Sequence, residues 1–176
     1  MRYNKIRKMD ISNGPGVRVS IFMQGCEFNC KNCFNPETHD FCGGKEFTDE
    51  TIDKVLNLCG NDNIEGLSIL GGEPLHPKNI EGTTSLAKAF KAKFPEKDLW
   101  IWSGFSFDKD LKDKEIVNYA DVIVDGRYVE VERNPMLKWK CSSNQRVIDV
   151  QKSLKENQVI LSPYNERKSK EFHLTI

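Results

Sequence analysis

The chain has 176 residues, and its 26 Lys and Arg residues balance its 26 Asp and Glu residues. This length supports one domain with one sizeable core, and the balanced charge provides no net field that would attract nucleic acid or an anionic membrane. No uncharged apolar run approaches the roughly 18 residues of a membrane span, and residues 1–10 carry five charges and no apolar signal core. We therefore expect a soluble cytoplasmic protein that binds neither nucleic acid nor membrane.

The first predicted strand covers residues 17–24, where Val17, Val19, Ile21 and Met23 recur at every second position. Residues 25–47 follow without sustained periodicity and contain three glycines and one proline. Such residues interrupt regular structure, so we predict a long loop with little helix. A loop of this length usually carries function.

Helices and strands alternate after this loop. Thr48 caps a predicted helix that places Ile52, Val55, Leu56 and Cys59 on one face and ends at Gly60. The following predicted elements are a strand at 66–70, a helix at about 79–93, a strand at 98–103, a weaker helix at 109–119 and a strand at 121–125. The alternation indicates an α/β fold with a parallel sheet covered by helices, either an open doubly wound sheet or a partial barrel.

The end of the chain differs in composition from the rest. Beyond Val150 the residues are polar and charged, with NERKSK at 165–170 and only scattered apolar side chains. We predict a single domain at 1–150 and a polar C-terminal extension at 151–176 whose composition is typical of a mobile segment.

A cysteine trio stands on the predicted loop. Cys26, Cys30 and Cys33 have the spacing C-x3-C-x2-C, and three soft thiolates this close together can hold iron or zinc. A structural zinc site needs a fourth ligand, for which His39 and Cys42 are the nearest candidates. If three thiolates instead bind a four-iron cluster, one iron keeps an open position, which implies catalysis.

A second motif, Gly71-Gly72-Glu73-Pro74, follows the predicted strand at 66–70. Glycines let the backbone approach a ligand closely, and the carboxyl edge of parallel strands is the usual side of an active site. As a bare turn this segment is weak evidence, but it lies about 40 residues after the trio.

Together the two motifs resemble the radical-SAM superfamily, whose C-x3-C-x2-C loop ends in an aromatic residue, here Phe34. The resemblance implies an incomplete TIM-like βα barrel in which Cys26, Cys30 and Cys33 ligate a 4Fe–4S cluster that carries the catalytic chemistry. It also implies a site for S-adenosylmethionine (SAM), formed by Asn32, Cys33, Phe34, Gly71, Gly72 and Glu73.

Within that superfamily, the segment NGPGVR at 13–18 and the pair Asn35-Pro36 resemble the activases of anaerobic ribonucleoside-triphosphate reductase. Further matches are PLHP at 74–77, FPEKDLWIWSG at 94–104, DVIVDG at 121–126 and SSNQR at 142–146, while Lys140-Cys141 replaces the family's Arg-Gly. The resemblance covers residues 1 to about 148. It implies an enzyme that cleaves SAM reductively and places a glycyl radical on the large subunit of the reductase, with electrons from an external donor such as flavodoxin or ferredoxin.

Three alternatives remain open at the level of the sequence. The chain could activate a different glycyl-radical enzyme, or it could be a radical-SAM modifying enzyme such as a 7-carboxy-7-deazaguanine synthase. The third alternative is a zinc-stabilised binding module that uses the trio with Cys42 or His39.

Several other residues have both a structural and a functional interpretation. Cys42, Cys59 and Cys141 are not expected to be cluster ligands, and Trp100 and Trp102 are expected in the core. His76 lies beside the GGEP turn, where it could touch the ligand. Asp125, Asn144 and Arg146 could bind the adenosyl group or the partner backbone but are equally explained by turns.

Overall fold

Seven strands form one open sheet in the computed structural model, which describes residues 1–165. The strands are β1 (Arg2–Asp10), β2 (Arg18–Gln24), β3 (Lys45–Glu46), β4 (Gly66–Gly71), β5 (Asp98–Trp102), β6 (Val122–Asp125) and β7 (Arg146–Asp149), in the spatial order β3-β1-β2-β4-β5-β6-β7. The four central strands, β2, β4, β5 and β6, are parallel, whereas β1, β3 and β7 pair antiparallel with their neighbours. The carboxyl ends of four parallel strands therefore meet at one edge of the sheet.

Within the described residues, three α-helices accompany the sheet: α1 (Asp49–Cys59), α2 (Ile80–Lys93) and α3 (Val150–Glu156). The sequence predicted α1 and α2 within one residue at each end, because both have an apolar face at helical spacing. At the start of α1 the Thr48 N–H donates to the hydroxyl of Thr51 at 3.2 Å. Among residues 1–165, no helix is long and apolar enough to cross a membrane.

The two faces of the sheet carry different side chains. On β5, Leu99 and Ile101 join the larger core, which includes the apolar residues of all three helices. Trp100 lies in a smaller cluster with Val124 of β6. Because side chains alternate along a strand, the larger core covers one face and the smaller cluster the other. Trp102, on the second face, is only partly buried and lines a cavity there.

The segment NGPGVR at 13–18 builds the amino-terminal edge of the sheet. Arg18 is fully buried and pairs with Asp98 of β5 at 2.6 Å, while its Nε donates to the hydroxyl of Ser68 on β4 at 2.7 Å. One guanidinium thus joins the amino-terminal parts of three neighbouring strands. The same Ser68 hydroxyl donates to the Asn13 carbonyl at 2.6 Å, which holds the preceding turn.

The structure corrects the prediction of a purely parallel sheet. β1, the nine-residue strand at the start of the chain, was not predicted and pairs antiparallel with β2. It has charged residues at successive positions, so it shows no regular alternation that would have indicated a strand. β7 was also not predicted, and its four residues form the opposite antiparallel side of the sheet.

The predicted helix at 109–119 is wrong. The chain forms a π-helical turn at Phe107–Leu111 and a separate 3-10 turn at Glu115–Asn118. Between them Lys114 is extended, with φ −88° and ψ 140°. Ile116 and Val117 are both buried in the second turn, so the apolar side chains that suggested a helix do enter the core.

Regular structure continues beyond the predicted domain boundary at residue 150. α3 begins at Val150, and Pro163–Asn165 forms a further 3-10 turn. Asp149 N–H donates to the Ile160 carbonyl at 2.9 Å, so the chain after α3 returns to β7. The last part of the predicted extension, residues 166–176, lies outside the described residues.

Candidate functional site

A cavity of about 480 Å³ opens at the carboxyl ends of the parallel strands. All three cysteines of the trio line it, together with Gly71, Gly72 and Glu73 after β4. The segments that follow β5 and β6 complete the wall, with Trp102, Ser103, Gly104, Gly126, Arg127 and Tyr128. The fold therefore brings the two sequence motifs, 40 residues apart in the chain, to one cavity.

The cluster loop, defined as residues 25–39, leaves β2 and closes back on its own beginning. Gly25 N–H donates to the Thr38 carbonyl at 2.7 Å, and Cys26 N–H donates to the His39 carbonyl at 3.0 Å. The side chain of Gln24, at the end of β2, donates to the carbonyls of Glu37 and Asp40 at 3.0 and 2.7 Å. These bonds fix both ends of the loop to the sheet.

Inside the cluster loop two asparagines adopt left-handed backbone conformations, Asn29 with φ 46° and Asn32 with φ 55°. Asparagine tolerates this region better than most residues, so the two positions turn the chain tightly between the cysteines. The Cys33 N–H donates to the Cys30 carbonyl at 3.1 Å. All three cysteines are half-buried free thiols, which leaves their sulfurs available as ligands.

The surroundings of Cys26 and Cys33 disfavour isolated thiolates. Burial raises the pKa of Cys26 to about 11, and negative charge on Glu73, Cys30 and Cys33 adds to the rise. Burial also raises the pKa of Cys33. A bound metal reverses this balance because its positive charge deprotonates a coordinating thiol. Three half-buried thiols around one cavity therefore fit a cationic iron centre.

A single zinc ion is a poorer match to the same residues. Cys42 is exposed and does not line the cavity, although His39 does. Within residues 1–165, no three His, Cys, Asp or Glu side chains are grouped so that they could hold a single metal ion. A four-iron cube binds each thiolate at a different iron, so its ligands are spaced more widely than those of one ion.

The GGEP turn, Gly71–Pro74, packs directly against the end of β2. Gly71 has φ +112°, and a Cβ on it would lie 2.7 Å from the backbone of Met23. A Cβ on Gly72 would lie 2.6 Å from the Gly25 carbonyl. Only glycine allows this approach, which brings Gly72 N–H to the Met23 carbonyl at 2.9 Å. The two glycines thus place the turn beside the first residue of the cluster loop.

Glu73 directs its carboxyl group into the protein. Its side chain is about 1% exposed, and it accepts hydrogen bonds from Leu75 N–H, the Ser103 hydroxyl and Gly104 N–H at 2.9, 2.8 and 2.7 Å. Burial raises its pKa from 4.5 to about 7, although these three donors oppose the rise. The carboxyl therefore joins the end of β4 to the end of β5, and its predicted contact with SAM stays a prediction.

Of the remaining predicted cofactor residues, Phe34 lines the cavity and Asn32 does not. Phe34 is 54% exposed and meets the ring of Tyr128 edge-to-face at 5.3 Å. The Arg133 guanidinium lies over the Phe34 ring at 5.5 Å. A hydrogen bond from Tyr128 lowers the pKa of the Glu130 carboxyl group, and a hydrogen bond from Asn32 lowers it further. The segment after β6 therefore holds this side of the loop.

A second contact to that segment involves Phe28 at the middle of the cluster loop. Arg127 donates to the Phe28 carbonyl at 2.6 Å, and its guanidinium lies over the Phe28 ring at 5.1 Å. The same ring meets Phe105 edge-to-face at 4.9 Å. The loop is thus held against the ends of β5 and β6 as well as β2.

Sequence reasoning missed several polar residues that organise the site, namely Gln24, Thr38, Asn79, Ser103 and Arg127. Each makes its contacts with residues outside its own element, so no local periodicity marks it. The signal in the sequence was position alone: Gln24, Thr38 and Asn79 lie near the two motifs, whereas Ser103 and Arg127 lie within or next to the family-like segments at 94–104 and 121–126.

The residues for which the sequence allowed both a structural and a functional role make different contacts. Asp125 is buried, and its carboxylate accepts from Arg146 and from Phe107 N–H, which is a structural role. Asn144 bonds to the Arg127 carbonyl at 2.8 Å on the surface. His76 contacts Glu27 in the cluster loop at 3.3 Å but does not line the cavity.

The three cysteines outside the trio have different environments. Cys59 is buried in the main core, where burial raises its pKa to about 12. Cys42 is exposed. Cys141, in contrast, lines the cavity, and burial together with nearby Cys33 raises its pKa.

The family comparisons agree with this geometry. The family model described as "4Fe-4S single cluster domain" matches residues 12–148. This match includes the cysteine trio and the GGEP turn and defines the class of protein as one with a single 4Fe–4S cluster.

Relatives specify the family within that class. The anaerobic ribonucleoside-triphosphate reductase-activating protein of Enterobacteria phage T4 is 41% identical over 149 residues, covering 84% of this chain and 93% of the phage protein. The proteins of the same name from Salmonella typhi and Escherichia coli (strain K12) are 38% and 36% identical over 150 residues, covering 84% of this chain and 97% of each relative. The chain belongs to the family of anaerobic ribonucleoside-triphosphate reductase-activating proteins.

Proposed function

We propose that this protein is a cytoplasmic radical-SAM activase that cleaves SAM reductively and generates a glycyl radical on anaerobic ribonucleoside-triphosphate reductase. The observation that carries this proposal is the meeting of the cysteine trio and the GGEP turn at one cavity. The names of the relatives support the choice of target.

Cys26, Cys30 and Cys33 hold the 4Fe–4S cluster in this proposal. Three ligands leave one iron open for SAM. When bound, the cluster supplies the electron that splits SAM into methionine and a 5′-deoxyadenosyl radical, which takes a hydrogen atom from the target glycine. The protein's own residues bind, orient and shield these groups, since the cofactors supply the bond-breaking chemistry.

The backbone of Gly71 and Gly72 is well placed to bind the amino group of SAM, because the turn lines the cavity without side chains in the way. Glu73 acts mainly by joining this turn to the end of β5. Asn32, Cys33 and Phe34 complete the predicted SAM site on the opposite wall, where Cys33 and Phe34 line the cavity.

The central parallel strands are interpreted as an incomplete TIM-like βα barrel of the radical-SAM type. The sheet is open, with β3 and β7 at its outer edges. An open barrel admits a loop of a macromolecule to the cavity, which suits the large subunit of the reductase as the substrate. An external donor such as flavodoxin or ferredoxin supplies the electron in this proposal.

Anaerobic reconstitution tests the cofactor chemistry. Iron, sulfide and zinc are counted, dithionite and SAM are added, and 5′-deoxyadenosine and methionine are measured. We expect about four irons per chain with cleavage, loss of both in Cys30→Ala, and wild-type behaviour in the control Cys42→Ala, whose thiol is exposed outside the cavity. Zinc without cleavage would contradict the proposal.

A second experiment tests the target. The reconstituted protein is mixed with the large subunit of an anaerobic ribonucleoside-triphosphate reductase, and the glycyl radical is observed by EPR spectroscopy. A radical on the reductase that depends on SAM supports the assignment. A small-molecule product formed without any protein partner would instead favour a modifying enzyme.

A further inference from the structure

Asn79 occupies a position where its side chain would ordinarily cap a helix. It immediately precedes α2, and asparagine at this position usually accepts a hydrogen bond from the first turn. Here the side chain makes no such bond. It is about 1% exposed, so a buried carboxamide serves some other purpose.

That carboxamide bridges the two halves of the candidate site. Its Nδ2 donates one hydrogen bond to the Gln24 carbonyl and one to the Glu73 carbonyl, each at 3.0 Å. Gln24 is the last residue of β2, two positions before Cys26, and Glu73 belongs to the GGEP turn. One nitrogen thus uses both of its hydrogens to join the entry of the cluster loop to the turn.

Backbone contacts beside this bridge set the same separation. Gly72 N–H donates to the Met23 carbonyl at 2.9 Å, and Glu73 N–H donates to the Gly25 carbonyl at 2.8 Å. Both bonds run from amides of the GGEP turn to carbonyls around the end of β2. The Asn79 bridge adds a further connection, because it uses the Gln24 and Glu73 carbonyls, which neither of these backbone bonds uses.

The segment just before Asn79 makes a further contact with the cluster loop. His76 Nδ1 accepts a hydrogen bond from Lys78 N–H at 3.1 Å, which places the proton of a neutral imidazole on Nε2. That Nε2 lies 3.3 Å from the Glu27 carboxylate, next to Cys26. The PLHP segment and Asn79 together therefore hold the first part of the loop.

We propose that Asn79 is a positioning residue that fixes the distance between the iron-binding loop and the SAM-binding turn. The inference rests on the proposed function, because SAM must reach the turn and the open iron at the same time. Small misplacement of such groups has large effects on reactivity. Aspartate is the informative replacement, since it has the same shape but presents an anion and no hydrogens to two carbonyl oxygens.

The test compares Asn79→Asp with Thr83→Val as a matched control. The Thr83 hydroxyl donates to the Pro74 carbonyl at 2.8 Å, so its loss removes a buried bond to the same turn but leaves the bridge to β2 intact. The reconstituted full-length variants are titrated with SAM, and the EPR spectrum of the reduced cluster is recorded with and without it. We expect SAM to bind Asn79→Asp at least about tenfold more weakly than wild type, with a diminished SAM-induced spectral change, and Thr83→Val to match wild type.

Hydrogen exchange on the cluster-free full-length proteins gives a readout that is independent of cofactor loading. The Gly72 and Glu73 amides should exchange faster in Asn79→Asp than in Thr83→Val. Equal exchange in the two variants, or SAM affinity of Asn79→Asp within twofold of wild type, would overturn the role of Asn79. A wild-type protein that holds no cluster would overturn the proposed function itself and this role with it.

Discussion

The carboxyl group of Glu73 is buried and accepts hydrogen bonds from three uncharged donors. Removing the group from water costs more than the donors return, so its pKa rises from 4.5 to about 7. In the unfolded chain the same group ionises near 4.5. Between these values the folded protein therefore retains a proton that the unfolded chain has lost.

This difference predicts a pH dependence of stability that Glu73→Gln abolishes. The difference in unfolding free energy, wild type minus variant, should fall as pH rises from 4.5 to 7, by roughly 3 kcal/mol at most, and should level off above that range. Urea unfolding at several pH values measures it. Glu81→Gln at an exposed position of α2 controls for the chemical change alone, and a difference independent of pH would contradict the prediction.

The cluster loop is an element without regular structure of its own at the cysteines, and neighbouring strand ends determine its shape. Phe28 contacts the segment after β5, and Arg127 after β6 holds its carbonyl and its ring. A Cβ on Gly104 would lie 2.5 Å from the Phe28 ring. Contacts on both sides confine that ring, so it has little freedom to move away.

Gly104→Ala is therefore expected to displace Phe28 and the loop. We predict a loss of about 1–3 kcal/mol in stability together with less iron and sulfide bound after reconstitution. The control is Gly60→Ala after α1, because Gly60 has φ −70° and a Cβ there would meet nothing closer than 3.4 Å. Iron content equal in the two variants would show that the loop tolerates the added methyl group.

At the scale of the whole molecule, the residues after Val150 help to complete the fold. Gln151 donates to the carbonyls of Val117 and Ala120 at 3.1 and 2.7 Å. Leu154 and Val159 pack against the main core. The predicted domain boundary at 150 remains a prediction, and these contacts join residues 151–159 to the preceding domain.

Two truncations test this extension. A chain that ends at residue 150 should lose at least about 3 kcal/mol of unfolding free energy relative to one that ends at residue 165, since it loses α3 and its buried apolar contacts. Chemical denaturation of both chains measures the difference. Equal stability would mean that α3 adds little to the sheet.

The sequence by itself determined those features whose signal lies within a few residues. Alternating apolar residues predicted β2, helical spacing predicted α1 and α2, and short spacing identified the cysteine trio. These features are local because one strand, one helix or one loop is enough to define them. These local features were enough to predict the α/β fold class and to identify the resemblance to a family.

Tertiary structure alone decided how these parts meet. β1 is a strand because it covers the open side of β2, and Asn79 bridges carbonyls from two segments that are 49 residues apart in the chain. The extended backbone of Lys114 interrupts the expected helix, and Ile116 and Val117 beyond it are buried in the core. Each of these outcomes depends on hydrogen bonds or packing between distant segments, and such contacts leave no period in the local sequence.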